Sequence, residues 1–298
     1  MENATRWLLG VVCLVAFAAC SGGGSGSGGG DGSGIEGDDT FLLPLIGEPA
    51  NGLTRDLLEP VLEAASEGLG YDFSSNRLVS LPSGAPSQLL IRPGTQILPE
   101  SLFPGWCTAA FVFDGRSKIA TAGHCTRVGD AVLAVSLPST VFAIGRTVES
   151  TGDDSEVGND WALIEIFPEW RPFVDPAVAL VGGPCGRAGD GFPPLLKYVG
   201  HALGIGTGGL PRAGLYAGTE DGAFVALGPI DGGDSGGPVL EVTQTDPATA
   251  CIGGGAVGII THRELYVVAG AALVPTGYFH GTPISRIGNA LDDGAPLP

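Results

Sequence analysis

Basic residues are scarce in this chain of 298 residues. Lysine and arginine number 14 against 32 aspartates and glutamates, so the formal net charge at pH 7 is −18. Nucleic-acid-binding proteins need basic patches to displace the counterions of the phosphates, and we therefore expect no nucleic acid among the partners. The 51 glycines and 23 prolines favour many turns and short strands over long helices. The hydrophobic fraction of 44% is enough to form a sizeable core.

The N-terminus lacks a hydrophobic run long enough to span a membrane comfortably. Its apolar segment, Leu8–Ala19, fits the core of a signal peptide, which we place at residues 1–19. The segment ends in Phe17-Ala18-Ala19-Cys20-Ser21, which resembles a bacterial lipobox and implies lipidation of Cys20. The alternative is an ordinary signal peptide cleaved just before Cys20. We expect an exported protein, either a cell-envelope lipoprotein that meets the membrane only through its lipid or a secreted protein.

The next two segments differ sharply in composition. Residues 20–39 are rich in glycine, serine and aspartate, which predicts a disordered, flexible tether. Residues 40–101 are either a removable pro-region or an extension packed on the following domain. Within them, apolar residues recur at helical spacing from Leu57 to Ala65, and Pro60 predicts a short helix that begins there.

A serine framed by glycines stands in the segment Asp231–Pro238. Glycines allow tight turns that expose backbone N–H groups, and a hydroxyl beside such groups is what acyl transfer requires. Alone, such a segment is an ordinary surface loop, because Ser235 also needs a base and an acid that orients the base. His124, after an apolar run, and Asp160, before another, are the candidates.

Short apolar runs dominate the chain after Phe103. Residues 109–113 and 119–122 read as a hairpin across Asp114-Gly115. Further runs at 131–137, 141–148 and 161–167 favour a β-barrel over a parallel sheet.

Three motifs carry a resemblance to a known family. Thr121-Ala122-Gly123-His124-Cys125 resembles the histidine motif of the chymotrypsin-like (trypsin-fold) serine peptidases. Asn159-Asp160-Trp161-Ala162-Leu163-Ile164 resembles their aspartate segment, and Gly233-Asp234-Ser235-Gly236-Gly237-Pro238 their nucleophile motif, in the family's order. The glycine-rich residues 199–208 resemble the bacterial, streptogrisin-like branch. The resemblance implies an all-β domain over residues 102–291, built from two packed six-stranded antiparallel β-barrels with a short C-terminal helix, and a tail at 292–298.

The resemblance also implies the chemistry. Ser235 would be the nucleophile, His124 its base and Asp160 the group that orients the base, while the N–H groups of Gly233 and Ser235 would form the oxyanion hole. The resemblance implies a serine endopeptidase that acts on proteins or peptides as a monomer, with no cofactor and no metal. The alternatives are a catalytically inactive homologue that binds envelope proteins or peptides, and a tethered adhesion module.

Four cysteines lie outside the first apolar run, an even number that suits two disulfides in an exported protein. The family resemblance implies the pairs Cys107–Cys125 and Cys185–Cys251. No Ile-Val-Gly-Gly follows a basic residue upstream of the first pair, so a new N-terminal amine is not expected to pair with Asp234. Bacterial relatives use an internal basic residue instead, and Arg187 is favoured over Lys197.

The specificity pocket is assigned by counting from Ser235 along the resemblance. Pro229 and Ile230 fall at its base, and Thr261 and His262 at its far wall. No acid stands where trypsin-type members have one, which disfavours substrates with lysine or arginine. His262 is either an exposed rim residue or a group that recognises an acidic side chain.

Overall fold

The computed structural model describes residues 40–47, 54–66, 69–72, 75, 77–80, 91–136, 140–152, 156–188, 194–201, 209–242, 253–268 and 272–292. All of them belong to one structural unit, Asp38–Pro298. The predicted signal peptide, the lipobox cysteine and the whole of the predicted tether lie outside the described residues. Within those residues, no helix has both the length and the apolar character needed to cross a membrane.

The first sheet follows a single strand, β1 (Thr40–Pro44), that belongs to the second sheet. In the described part of the chain the first sheet has nine strands: β2 (Leu69–Asp72), β3 (Arg77–Ser80), β4 (Gln96–Pro99), β5 (Cys107–Thr108), β6 (Val112–Phe113), β7 (Lys118–Thr121), β8 (Ala131–Ser136), β9 (Thr140–Ser150) and β10 (Ala162–Ile166). Their order is β5-β4-β8-β9-β10-β7-β6, and β2 joins β9 to β3. All pairs are antiparallel, and the sheet curls into a half-barrel.

The second sheet closes on itself. Its six barrel strands are β11 (Leu195–Tyr198), β12 (Arg212–Glu220), β13 (Ala223–Leu227), β14 (Pro238–Glu241), β15 (Ala256–Val268) and β16 (Ala272–Pro283). They run in the order β15-β14-β11-β12-β13-β16, and pairing of β15 with β16 completes the barrel. The strand β1 lies outside this closed set and pairs antiparallel with β15.

Apolar side chains from both sheets meet in a shared core. Phe111, Phe113 and Leu163 of the first sheet region pack with Val199 and Ile259 of the second, and all five are buried. Because this cluster joins the two sheets, the loops that leave them on one side lie close together. The histidine, aspartate and serine motifs are all carried by such loops.

This arrangement matches the trypsin-like two-barrel fold, which confirms the predicted all-β architecture. Two details differ from the expectation: the first barrel is the curled half-barrel, and the C-terminal helix is one 3₁₀ turn over Ile284–Arg286. Arg187 donates hydrogen bonds to the carbonyls of Ile284, Ile287 and Asn289. These carbonyls are the groups that a longer helix would use for its own hydrogen bonds.

The N-terminal extension packs on the first sheet. A 3₁₀ turn over Arg55–Leu57 leads into α1 (Leu58–Ser66), which begins two residues before the predicted start. Pro60 lies in the first turn, where its missing N–H breaks no intrahelical bond. The helix buries Val61 and Ala64 in a cluster with strand residues of the first sheet. Since β4 also precedes residue 102, that predicted domain boundary falls within the sheet.

Candidate active site

A short turn after β7 holds His124. The strand leads into a 3₁₀ turn over Gly123–Cys125, and a disulfide from Cys125 to Cys107 ties the turn to β5, as the resemblance implied. Only glycine fits at position 123, because an added Cβ would lie 2.8 Å from Asp160 Oδ1. His124 is 9% exposed. The disulfide and the close approach together fix the imidazole at the edge of the cleft.

Asp160 enters the site from the start of β10 and accepts two hydrogen bonds from His124. The backbone N–H of His124 donates to Oδ1 at 2.9 Å, and the ring Nδ1 lies 2.6 Å from Oδ2. Burial raises the pKa of Asp160, but the hydrogen bonds from His124 and the electrostatic interactions with His124 and His262 outweigh it and lower that pKa below its usual value. Asp160 is therefore a carboxylate at neutral pH.

Ser235 completes a continuous chain of three polar side chains. Its Oγ lies 2.7 Å from His124 Nε2, while His124 Nδ1 faces the carboxylate. A carboxylate only accepts, so Nδ1 carries the proton and Nε2 is left as the acceptor for the serine hydroxyl. The sequence-predicted residues His124, Asp160 and Ser235 are thus brought together in the order that general-base activation of a hydroxyl requires.

The N–H groups of Gly233 and Ser235 both point at one carbonyl oxygen, as expected of an oxyanion hole. That oxygen belongs to Leu45, at 2.6 Å from Gly233 N and 3.3 Å from Ser235 N. Gly233 has φ of +98°, and an added Cβ would lie 2.3 Å from Trp106 Nε1. The conformation and the crowding both require glycine here. Thr108 Oγ1 donates to the Gly233 carbonyl at 2.7 Å and supports the loop from behind.

Asp234 pairs with Arg212, a residue that the sequence reasoning missed. The guanidinium donates to both carboxylate oxygens, at 2.6 and 2.5 Å. Asp234 is fully buried and Arg212 is 8% exposed. Arg212 also donates to the Pro229 carbonyl and lies 5.0 Å from the ring centre of Tyr198. A bidentate pair of this kind neutralises a carboxylate in the loop that carries the oxyanion donors.

The prediction that Arg187 pairs with Asp234 is wrong. Arg187 lies beside the start of β15, bridged to Ala256, and its guanidinium extends to the carbonyls of residues 284–289. The other candidate, Lys197, lies on β11 near Glu241, and burial lowers its pKa. Proximity to Cys185 in the sequence suggested Arg187. The signal that identifies Arg212 is its place on the inward side of β12, where a buried cation needs an anion.

The predicted pocket residues divide between two places. Ile230 packs with the buried cluster of the second barrel that contains Leu45, and the Pro229 carbonyl accepts from Tyr198 and Arg212. Burial raises the pKa of Tyr198. Thr261 is buried, and its carbonyl oxygen lies 3.0 Å from Ser235 Oγ, as a second acceptor that competes with His124 Nε2 for the one hydroxyl proton.

His262 lies beside His124. Its Nδ1 is 3.6 Å from Asp160 Oδ2, and its ring centre is 5.3 Å from that of His124. Burial lowers the pKa of His262 to about 4, although Asp160 opposes this shift. The imidazole is therefore neutral at neutral pH. It lacks the charge that recognition of an acidic side chain would use. Its side chain is only 13% exposed, so it is not an exposed rim residue, and it lines a cavity with Pro44, His124 and Asp160.

The other polar groups near the cleft are structural or are candidate ligands. His201 Nε2 donates to the Gly94 carbonyl at 2.7 Å, and burial lowers the pKa of His201. His124, Asp160 and His262 each offer a ligand atom within 4.8 Å of the others, which is the spacing of a metal site. A cation bound there would compete with the hydrogen bond between His124 and Asp160.

Cys185 is disulfide-bonded, as the resemblance implied. Its predicted partner, Cys251, lies outside the described residues.

Comparisons with known proteins give similarity at the level of structure. No protein-family model matches the sequence, and no curated protein matches it. A serine endoprotease from Yersinia pestis is similar at 15% identity and a TM-score of 0.42, over 70% of this chain and 65% of that one. A chymotrypsin from Cellulomonas bogoriensis has 17% identity and a TM-score of 0.41, over 68% and 99%. Thermobifida fusca protease A has 19% identity and a TM-score of 0.43, over 69% and 100%. The chain thus spans about 65% of the length of the Yersinia protein.

Proposed function

We propose that this protein is an exported serine endopeptidase that hydrolyses peptide bonds through an acyl-enzyme. The observation that carries the proposal is the hydrogen-bonded chain from Asp160 through His124 to Ser235, with its links at 2.6 and 2.7 Å. Two backbone donors converge on a carbonyl oxygen beside the same serine. A nucleophile, a base, an orienting acid and an oxyanion site are the parts that acyl transfer needs.

Each residue has a defined step. Ser235 Oγ attacks the carbonyl carbon of the substrate while His124 Nε2 accepts the hydroxyl proton. The N–H groups of Gly233 and Ser235 donate to the oxyanion that develops. His124 then gives the proton to the leaving amine, and a water molecule activated by the same nitrogen hydrolyses the ester. Asp160 stays ionised throughout and stabilises the imidazolium.

The electrostatics of the site suit these steps. The pKa of Asp160 lies below its usual value, so the carboxylate is ionised at neutral pH. Arg212 neutralises Asp234, so the buried acid next to Ser235 adds no uncompensated negative charge where an oxyanion must form. Preorganised donors in such a place typically contribute a factor of about 10² to 10³ each.

A fluorophosphonate probe tests the proposal on the purified full-length chain. We expect covalent labelling of Ser235, loss of labelling in Ser235→Ala, and unchanged labelling in the matched control Ser117→Ala, whose hydroxyl donates to the Asp114 carbonyl. Because Leu45 lies over Ser235, the assay is repeated with Leu45→Asp. Folded, disulfide-intact protein that remains unlabelled in both backgrounds would refute the enzyme and favour the inactive homologue that binds peptides.

We also propose that the chain is attached to the cell envelope through a lipid on Cys20. The support is the lipobox-like motif followed by a flexible, glycine-rich tether. Radiolabelled fatty acid should be incorporated into the wild-type chain and into Cys13→Ala, the control within the apolar run. Incorporation that survives Cys20→Ala would show that the site is elsewhere.

A further inference from the structure

The N-terminal segment Thr40–Gly47 occupies the cleft across Ser235. On one side, β1 pairs antiparallel with β15, with Leu43 opposite Arg263 and Pro44 opposite His262. On the other side, the N–H of Gly47 donates to the Trp106 carbonyl at 2.8 Å, and Trp106 N–H donates back at 3.2 Å. The segment is thus held by main-chain hydrogen bonds on both sides of the serine.

Leu45 lies at the centre of this segment, directly over the catalytic groups. Its carbonyl oxygen accepts the hydrogen bonds of both oxyanion donors, and its own N–H donates to Ser235 Oγ at 2.9 Å. The side chain is 1% exposed and packs in the apolar cluster that includes Ile230. Burial of an apolar side chain of this size stabilises the contact that holds it. Leu45 therefore anchors the segment and places its carbonyl group where a reacting carbonyl belongs.

The rest of the segment does not resemble a structural strand. All five residues of β1 are exposed, with Phe41 at 50% and Leu42 and Leu43 at 37%. The barrel closes through β15 and β16 without β1. Backbone pairing to an exposed strand with one deeply buried side chain is how extended peptides bind at sheet edges.

We propose that the bond between Leu45 and Ile46 is a self-processing site, cut by the chain's own Ser235. The inference rests on the proposed peptidase function. The reacting carbonyl already accepts from the oxyanion donors, and Gly47 fits closely against Trp106, where an added Cβ would lie 2.1 Å from the indole. The residues before and after the bond are therefore both held. The buried leucine side chain also indicates the substrate class, which is peptides with a leucine-sized aliphatic residue before the cut bond.

The reaction balances as an ordinary hydrolysis. Ser235 Oγ forms an ester bond to the Leu45 carbonyl carbon, and the bond from that carbon to Ile46 N breaks. The proton of the serine hydroxyl passes through His124 to the departing amine of Ile46. Water then hydrolyses the ester, which leaves a carboxylate on Leu45 and restores the serine hydroxyl. The proposed lipid site, Cys20, precedes the cut, so processing would separate Ile46–Pro298 from the anchor.

Intact mass and N-terminal sequencing of the full-length chain over time provide the test. We expect a fragment that begins at Ile46 in wild type and in Leu78→Asp, a matched control in which the leucine is 51% exposed. Ser235→Ala should stay intact. Leu45→Asp should lose this cut, because a carboxylate would enter the apolar pocket, yet it should label with the fluorophosphonate probe. The half-life of the intact chain should not depend on protein concentration, since each chain fills its own cleft.

The outcomes separate this inference from the proposed function. A wild-type chain that labels at Ser235 but keeps the Leu45–Ile46 bond would overturn self-processing and leave the peptidase standing. Failure of both labelling and cutting would overturn the peptidase. The same fragment from Ser235→Ala would assign the cut to another protease. A half-life that shortens in proportion to rising protein concentration would exclude cutting within one chain.

Discussion

Arg212→Met should destabilise the protein strongly, because it leaves the carboxylate of Asp234 buried without its partner. The carboxylate is fully buried and the guanidinium donates to both of its oxygens. Removing one partner of a buried pair typically costs about 3 to 5 kcal/mol. For a domain of this size, that corresponds to a fall in Tm of about 6 to 20 °C. Methionine keeps much of the volume, so packing is a smaller part of the loss.

The loss of stability should coincide with a loss of labelling. Asp234 Oδ2 accepts the N–H of Asp231 at 2.9 Å, and the Asp234 carbonyl accepts the N–H of Gly237 at 2.8 Å. If Asp234 moves, the loop that aims the oxyanion donors moves with it. We therefore expect slower fluorophosphonate labelling of Ser235 in Arg212→Met. Unfolding in urea and labelling rates, both on disulfide-intact protein, measure the two effects.

Two further variants identify the cause. Arg212→Met combined with Asp234→Asn removes the unpaired charge and should recover at least half of the lost stability. Arg187→Met tests the partner suggested by the sequence; it removes hydrogen bonds to the C-terminal turn but should leave Ser235 labelling intact. A cost below about 1 kcal/mol for Arg212→Met, or loss of labelling in Arg187→Met, would contradict the pairing role of Arg212.

Three further changes test other parts of the site. His262 has a pKa of about 4 when folded and about 6.5 when unfolded, so the unfolded state binds more protons between these values and stability falls as the pH falls. His262→Phe should remove about 3 kcal/mol of this loss. Free energies of unfolding in urea that differ by the same amount between wild type and His262→Phe at every pH from 7 to 4 would contradict it. Asp160→Asn should keep the fold but slow Ser235 labelling by about 10⁴, because the histidine tautomer is no longer fixed; unaltered labelling would exclude that role. Replacing Cys107 and Cys125 together by serine opens a loop with a sequence separation of 18 and should cost about 3 kcal/mol in chemical denaturation, whereas an unchanged midpoint would show that the packing alone holds the loop.

The sequence predicts best what short local motifs encode. Gly233, Asp234 and Ser235 are adjacent, and the order of the His124, Asp160 and Ser235 motifs was enough to expect the arrangement that the structure has. The strands β8, β9 and β10 also fall where the short apolar runs predicted them. In each case the information lies within a few residues.

Contacts between distant segments could not be read in this way. The pairing of Asp234 with Arg212 depends on which side of β12 faces the loop, and His262 reaches Asp160 only because β15 passes beside the first sheet's loops. Leu45 is 190 residues from Ser235 and sits in a stretch of ordinary apolar residues. Only the folded barrel shows that its carbonyl lies on the oxyanion donors.

The state of the loop around Ser235 bears on how activity would be controlled. The carboxylate of Asp234 is already neutralised by Arg212, and both oxyanion donors already face a carbonyl, all while residues 40–47 fill the cleft. A new amine at Ile46 would therefore not be needed to neutralise the carboxylate of Asp234. Cutting after Leu45 would allow substrate to replace the N-terminal segment in the cleft. The oxyanion donors and the pair between Asp234 and Arg212 would stay as they are. The N-terminal segment would then control this protein by competing with substrate for the cleft. The strength of its binding would depend on the burial of one side chain, that of Leu45.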